Sequence, residues 1–379
     1  MKMFPTKRSE IIEKLINFSE KELSSYSKNR NFDCGPPHKN VSKLSPYLRT
    51  RFISEEEILK IAISKNNIKT IEKFIEEIFW RTYWRGWLES HPWVYDEYLD
   101  TSIYQHLPKK TGIKCFDNWK EELIDTGYLH NHSRMWFASI WIFTLGYSWQ
   151  SGADFFKRNL LDFCPASNTL GWRWVAGLQT INKPYLATSD NIKYFTNGRY
   201  NPTDQLNEKV NCNYIEQNSK HLLPFIIPDK IEFKNFDNLG IILNRNDLSL
   251  NHVLENLEMT YECCVYSTKH DNKLVNEFNK NIIQDIIKNN KNFEITENFD
   301  QIFDWLTSKK IKNLVLPYET VGNTIFNIEK FKKKLKQLNI QYKFILRDWD
   351  RNAFPYATKG FFKFKKNIPD LINIVDIQI

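Results

Sequence analysis

The rhythm of apolar residues changes once along this chain, and that change limits what it can fold into. From Ser9 to about Leu186 they recur at helical spacing: Ile11, Ile12, Leu15, Ile16 and Phe18, then Ile71, Phe74, Ile75, Ile78 and Phe79, then Trp136, Phe137, Ile140 and Trp141. A period near 3.6 puts such residues on one helix face. Strand-like alternation is scarce here, so this half reads as all-α. Helix-start chemistry agrees: Ser54 precedes the acidic run Glu55 to Glu57, and Ser151 and Asp154 precede Phe155 and Phe156. A stretch without a clear period, carrying Pro224 and Pro228, reads as a linker over 216–237. Beyond it short apolar runs alternate with amphipathic ones. Leu239–Leu243, Tyr261–Tyr266, Ile311–Leu316 and Tyr342–Leu346 read as strands, and Leu274–Lys288, Asp300–Ser308 and Ile325–Leu338 as helices. That alternation implies a mainly parallel sheet covered on both faces. The expected organisation is α + α/β, with an all-α domain over 1–215 and a parallel-sheet domain over 238–379.

Size and charge fit two cores. A chain of 379 residues without an internal repeat is long for one hydrophobic core. The net charge of +8 suits a phosphate-bearing partner, and is equally the balance of a lysine-rich soluble protein. The cysteines Cys34, Cys115, Cys164, Cys212, Cys263 and Cys264 form no CxxC pair and no ligand-like spacing with histidine, so no metal centre is expected. The α/β half has no GxGxxG or GxxxxGK[ST] loop. Its lysine run Lys332 to Lys336 reads as a solvated helix face. Met1 to Arg8 is too polar for a signal peptide, and no stretch reaches the roughly 18 uncharged apolar residues of a membrane span. A soluble, cytoplasmic monomer is expected.

The chemistry is concentrated early, since ten of twelve tryptophans fall between Trp80 and Trp174. Glu77, Trp80, Arg81 and Trp84 share one helix face by their spacing. Alone, that stripe is equally an aromatic core face with an ion pair. Asn131, Arg134 and Met135 share another face in TGYLHNHSRM. A buried arginine needs a carboxylate, and Asp162 in LDFCPASNTLGWRW is the candidate.

Four ordered segments, LSPYL (Leu44–Leu48), FIEEIFWRTYW (Phe74–Trp84), TGYLHNHSRM (Thr126–Met135) and ASNTLGWRWVAGLQT (Ala166–Thr180), make residues about 9–202 resemble the FAD-binding helical domain of the photolyase and cryptochrome family. The resemblance implies FAD as cofactor. Ser42, Leu44 and Ser45 fall in the segment whose serines hold the flavin phosphates in that family. Asn131, Arg134 and Asp162 then belong beside the flavin, and Asn168 faces its N5. Trp172 and Trp149 match the first two indoles of the photoreduction chain. Trp80 and Trp174 match the indoles that stack on a DNA lesion, with Glu77 and Arg81 contacting the lesion or its backbone and Met135 bordering the pocket.

Departures from the family pattern accompany the match. Cys164 stands where a second aspartate is usual, and Tyr128 where an indole precedes the helix asparagine. The outermost electron-transfer tryptophan has no counterpart, although Trp93, Tyr95, Tyr98 and Tyr104 are near in sequence. In the family a Rossmann-like antenna domain precedes the helical domain, whereas here the α/β half follows. ILNRNDLSLNHVL (Ile242–Leu254) loosely resembles the first antenna strand, and FPYATKGFFKFKKNIP (Phe354–Pro369) the segment that leaves that domain, which suggests a circular permutation. The antenna chromophore is not marked. The implied activity is light-dependent splitting of cyclobutane pyrimidine dimers in damaged DNA; the rival is a cryptochrome-like photoreceptor without repair. Relatives that repair (6-4) photoproducts resemble one another in having histidines where this chain has Asn131 and Met135, and His130 and His132 are expected to point away from that face.

Overall fold

In a computed structural model, residues 3–100, 108–210, 223–228, 237–253, 260–325 and 327–374 are described. The first half is helical: α1 (Arg8–Lys21), α2 (Tyr26–Asn29), α3 (Ser45–Arg49), α4 (Glu55–Lys65), α5 (Ile68–Ser90), α6 (Trp93–Asp100), α7 (Lys114–Thr126), α8 (Asn131–Ser139), α9 (Trp149–Asn159), α10 (Pro165–Val175) and α11 (Ser189–Phe195). Ser54 caps α4 with a reciprocal box, its side chain accepting from Glu57 N–H while the Glu57 carboxylate accepts from Ser54 N–H at 2.9 Å. The expected start of α9 at Ser151 is corrected. The helix opens at Trp149, because the Ser148 hydroxyl accepts from Ser151 N–H at 3.3 Å.

The second half holds β1 (Leu239–Leu243), β2 (Tyr261–Tyr266), α12 (Lys273–Asn289), β3 (Phe293–Thr296), α13 (Phe299–Ser308), β4 (Asn313–Pro317), α14 (Ile328–Gln337), β5 (Gln341–Ile345), α15 (Asp348–Ala353), α16 (Phe361–Lys365) and α17 (Ile368–Ile374). The strands form one parallel sheet in the order β3-β2-β1-β4-β5, with β1 buried along its whole length. Four of these strands match the expected ones within two residues. The fifth, β3, is an edge strand with Glu294 and Ile295 exposed, so its FEIT run carries little apolar signal. The expected linker at 216–237 lies outside the described residues except for 223–228 and 237.

The two halves share a core. One apolar cluster joins Leu15, Phe74 and Phe79 of the helical half to Ile241, Val265, Trp349 and Phe364. The carboxyl ends of the strands face the helices. Leu248 N–H donates to Thr50 O at 2.8 Å, Tyr318 Oη to Glu89 at 2.9 Å, and Trp349 Nε1 to Thr82 Oγ1 at 2.8 Å. Between the halves lies a buried ion network. Asp350 accepts from Arg51 at 2.7 Å and Arg85 at 3.0 Å, while Glu55 accepts from Arg51 at 3.0 Å and Arg81 at 2.8 Å. No described helix is long and apolar enough to cross a membrane.

Candidate flavin and lesion site

A cavity of about 660 Å³ opens among α5, α8 and α10, within the range of small-molecule sites. Its lining brings together Glu77, Trp80, Arg81, Asn131, Arg134, Met135, Asp162, Asn168, Trp172 and Trp174, residues drawn from segments almost a hundred positions apart. The helix faces do this. On α5 the stripe Lys73, Glu77, Arg81 and Trp84 turns inward, and on α10 Asn168, Gly171, Trp172 and Val175 do the same. A Cβ on Gly171 would stand in open space, so a flat ring can come flush with that backbone.

The expected ion pair is present. Arg134 clasps Asp162 through two nitrogens, at 3.0 and 2.8 Å, and its Nε donates to Leu129 O at 3.0 Å. The carboxylate is 3% exposed, which makes the fork its main compensation. Gly127 ends α7 in the left-handed region at φ 69° and turns the chain toward α8. Asn168 donates from Nδ2 to Ala153 O at 2.9 Å, which orients its amide. Among the described residues buried Trp172 has no partner for its Nε1, so its N–H can donate to a polar group there.

Several of the expected residues have partners inside the fold or lie away from the cavity. The Ser45 hydroxyl donates to Asp162 at 2.5 Å, which commits it to the acid of the ion pair. Ser42, half-buried, and Leu44, buried ahead of α3, also stand outside the cavity lining. Arg81 lines the cavity, yet its nitrogens donate to Glu55 and to Arg49 O at 3.2 Å, so its charge is spent inside the fold. Glu77 pairs with Arg30 at 2.8 Å, and burial raises its pKa against the pull of that arginine. Trp149 lies apart from the cavity. Its ring meets Tyr98 at 5.8 Å, whereas the ring partners of Trp172 are Phe156 at 5.0 Å and Trp141 at 6.0 Å. The two histidines, expected to point away from the Asn131 face, are both buried. His130 is buried against His38, and His132 borders the cavity, with Nδ1 at 2.9 Å from Asn31 O and Nε2 at 3.3 Å from Tyr185 Oη. Burial lowers the pKa of both rings, that of His130 to about 4.

Other groups had no sequence signal. Tyr26, Arg30 and Lys73 line the cavity, and Phe361 of α16 lies flat on Trp80, ring centroids 3.6 Å apart at 12°. Trp174 stacks on Tyr185 at 5.3 Å. Cys164 caps α10 next to the cavity. Burial alone would raise its thiol pKa, but Arg81, the Ser167 N–H and Arg85 outweigh it and lower the value.

A larger cavity, about 1160 Å³, lies between the halves and is lined by Arg49, Lys120, Lys157, Arg158, Arg245 and Lys269 among others. It is strongly cationic and lacks the indoles and the guanidinium–carboxylate fork, so the smaller one is the candidate centre.

The description FAD binding domain of DNA photolyase belongs to the family model that matches residues 74–218. A deoxyribodipyrimidine photo-lyase of Alkalihalophilus pseudofirmus is 30% identical over 210 residues, covering 50% of this chain and 42% of that protein. A cryptochrome DASH of Danio rerio is 28% identical over 204 residues, covering 47% of this chain and 38% of that one. A class III photolyase structure from Agrobacterium tumefaciens has 25% identity and a TM-score of 0.40, covering 50% of this chain and 44% of that one. The chain thus spans less than half the length of these relatives. Over residues 74–218 the helical half is similar to the FAD binding domain of DNA photolyase.

Proposed function

We propose that this chain is a light-dependent DNA photolyase that holds one FAD in the 660 Å³ cavity and splits cyclobutane pyrimidine dimers. The carrying observation is the convergence on that cavity of the Arg134–Asp162 fork, the Asn168 amide and the indoles Trp80, Trp172 and Trp174. The residues present fit the cofactor: a fixed charged fork, an oriented amide, an indole N–H without a partner among the described residues and a helix face opened by Gly171. FAD, when bound, supplies the light-driven electron. The chain's residues bind, orient and exclude water. Arg134 and Asp162 hold the cofactor's polar edge, Trp80 and Trp174 bracket a flipped-out lesion, and Glu77 and Met135 border it.

The lesion class follows from proton chemistry. Asn131 and Met135 cannot act as general acids, and His132 has both nitrogens engaged and a pKa lowered by burial, so it stays neutral near pH 7. Dimer splitting needs electron injection and return alone. The α/β half, expected over 238–379, is proposed as an antenna-like domain placed after the helical domain of 1–215, a reading supported by its five parallel strands. A second reading, a photoreceptor without repair, is favoured by the internal pairing of Arg81 with Glu55 and of Glu77 with Arg30. Blue-light repair of oligonucleotides separates them. The photolyase reading expects loss of cyclobutane thymine dimers and persistence of (6-4) photoproducts. Repair of the (6-4) lesion overturns the substrate assignment, and a flavin photocycle without either repair assigns the photoreceptor.

A further inference from the structure

We propose that α16 is a clamp for single-stranded DNA at the rim of the cavity, where the ring of Phe362 stacks on an unpaired base and the surrounding lysines hold the flanking phosphates. The proposal rests on the nucleic-acid reading above but on different residues. Helix geometry gives the location. On α5, Lys73, Glu77, Arg81 and Trp84 line the cavity, whereas Glu72, Glu76 and Tyr83 belong to the adjoining face. That face receives α16: Lys365 pairs with Glu72 at 3.2 Å and with Glu76, and Tyr83 meets Phe361 at 5.4 Å and Phe364 at 5.5 Å. Trp80 stands three residues after Glu77 and four after Glu76, so it is shared. It lines the cavity and carries Phe361 flat against its ring. The helix α16 is therefore the immediate neighbour of the lesion-stacking indole.

What α16 shows to water is unusual. Phe361 and Phe364 are buried in the seam, while Phe362, turned by about 100° from Phe361, is 82% exposed. Among the described residues it is the most exposed phenylalanine, and it stands beside several lysines. The segment 359–366, KGFFKFKK, carries four lysines and no acid; Lys359, Lys363 and Lys366 are exposed, and Lys365 serves the seam. One open ring among three exposed cations suits a base between two phosphates. It does not suit a lipid surface, which needs a broad apolar face, because the other apolar side chains of α16 are turned inward.

The test uses the full chain and a fluorescein-labelled, undamaged 16-residue oligothymidylate, with anisotropy followed over a salt series. Phe362→Ala is expected to weaken binding by about five-fold or more, the loss of one stacked base, and Phe362→Trp to restore it. Replacing Lys359, Lys363 and Lys366 together by Gln is expected to flatten the plot of log affinity against log salt by about 2. Thermal melting should stay unchanged, since all four side chains are exposed. Wild-type affinity and slope in both variants overturn the clamp, as does loss of binding to phosphatidylglycerol vesicles in place of DNA. Dimer repair under light is scored in the same variants. Repair that persists with unaltered DNA binding removes the clamp and leaves the photolyase reading standing, whereas a clamp without repair removes the reading and keeps the surface.

Discussion

Asp162 carries more of the site than a single ion pair. It accepts from two nitrogens of Arg134 and from the Ser45 hydroxyl, all while 3% exposed. Removing it leaves a buried guanidinium without its counter-charge, a change that costs about 3–5 kcal/mol. Asp162→Ala is expected to lower the melting temperature and to yield protein without the visible absorbance of a bound flavin. Full flavin loading of that variant would defeat the assignment. A second residue-scale outcome concerns pH. His130 faces Asp33, His38 and His132, and burial holds its folded pKa at about 4, below the ordinary 6.5. The unfolded chain therefore binds the proton first. The stabilisation is complete above pH 6.5 and is lost as pH falls through the folded value near 4. Melting temperature should decline across that window, and His130→Asn, which keeps a helix-capping side chain, should flatten the decline. An identical slope in the variant would assign the acid sensitivity to other groups.

At the scale of elements, α8 does something its periodicity did not announce. It continues into a π-helical turn over Ile140–Thr144, where Leu145 N–H reaches back to Ile140 O at 2.9 Å. Trp141 stands in that turn, edge-on to Trp172, and Gly152 lets α9 approach both rings: a Cβ there would lie 2.2 Å from Trp172 and 3.0 Å from Trp141. Trp141 in turn meets Tyr147, half-buried, at 5.6 Å. Trp149 has the Arg173 guanidinium over its ring at 5.8 Å, and a cation beside an indole disfavours the positive charge left by electron loss. If photoreduction leaves Trp172 by its nearest indole, Trp141→Phe should slow light-driven flavin reduction by external thiol more than Trp149→Phe does. The reverse order, at equal flavin content, would return the second step to Trp149.

The whole molecule is held together by charge as well as by apolar burial. Asp350, fully buried, bridges Arg51 of the segment before α4 and Arg85 of α5, and Arg347 clasps Asp247 beyond β1. These groups join the sheet's carboxyl edge to the helices. Asp350→Ala leaves two buried guanidinium groups under-compensated, and urea denaturation should register a loss of about 3–5 kcal/mol. A loss below about 1 kcal/mol would mean that the shared apolar core alone couples the halves.

The α-helical half, four of the five strands and the Arg134–Asp162 pair were legible in the sequence, because each rests on local spacing or on a charge that cannot be buried alone. Residue types in ordered segments also marked most of the cavity lining. What the spacing could not carry was the destination of each polar group. Arg81 reads the same whether it meets a phosphate or Glu55, and Ser45 the same whether it meets a phosphate or Asp162; the partners lie 26 and 117 residues away. The burial of His130 and His132, the arrival of Phe361 on Trp80 and the contact of Trp172 with Trp141 were likewise decided by packing between elements far apart in the chain. Periodicity assigns a side chain to a face, and only the neighbouring element decides what that face meets.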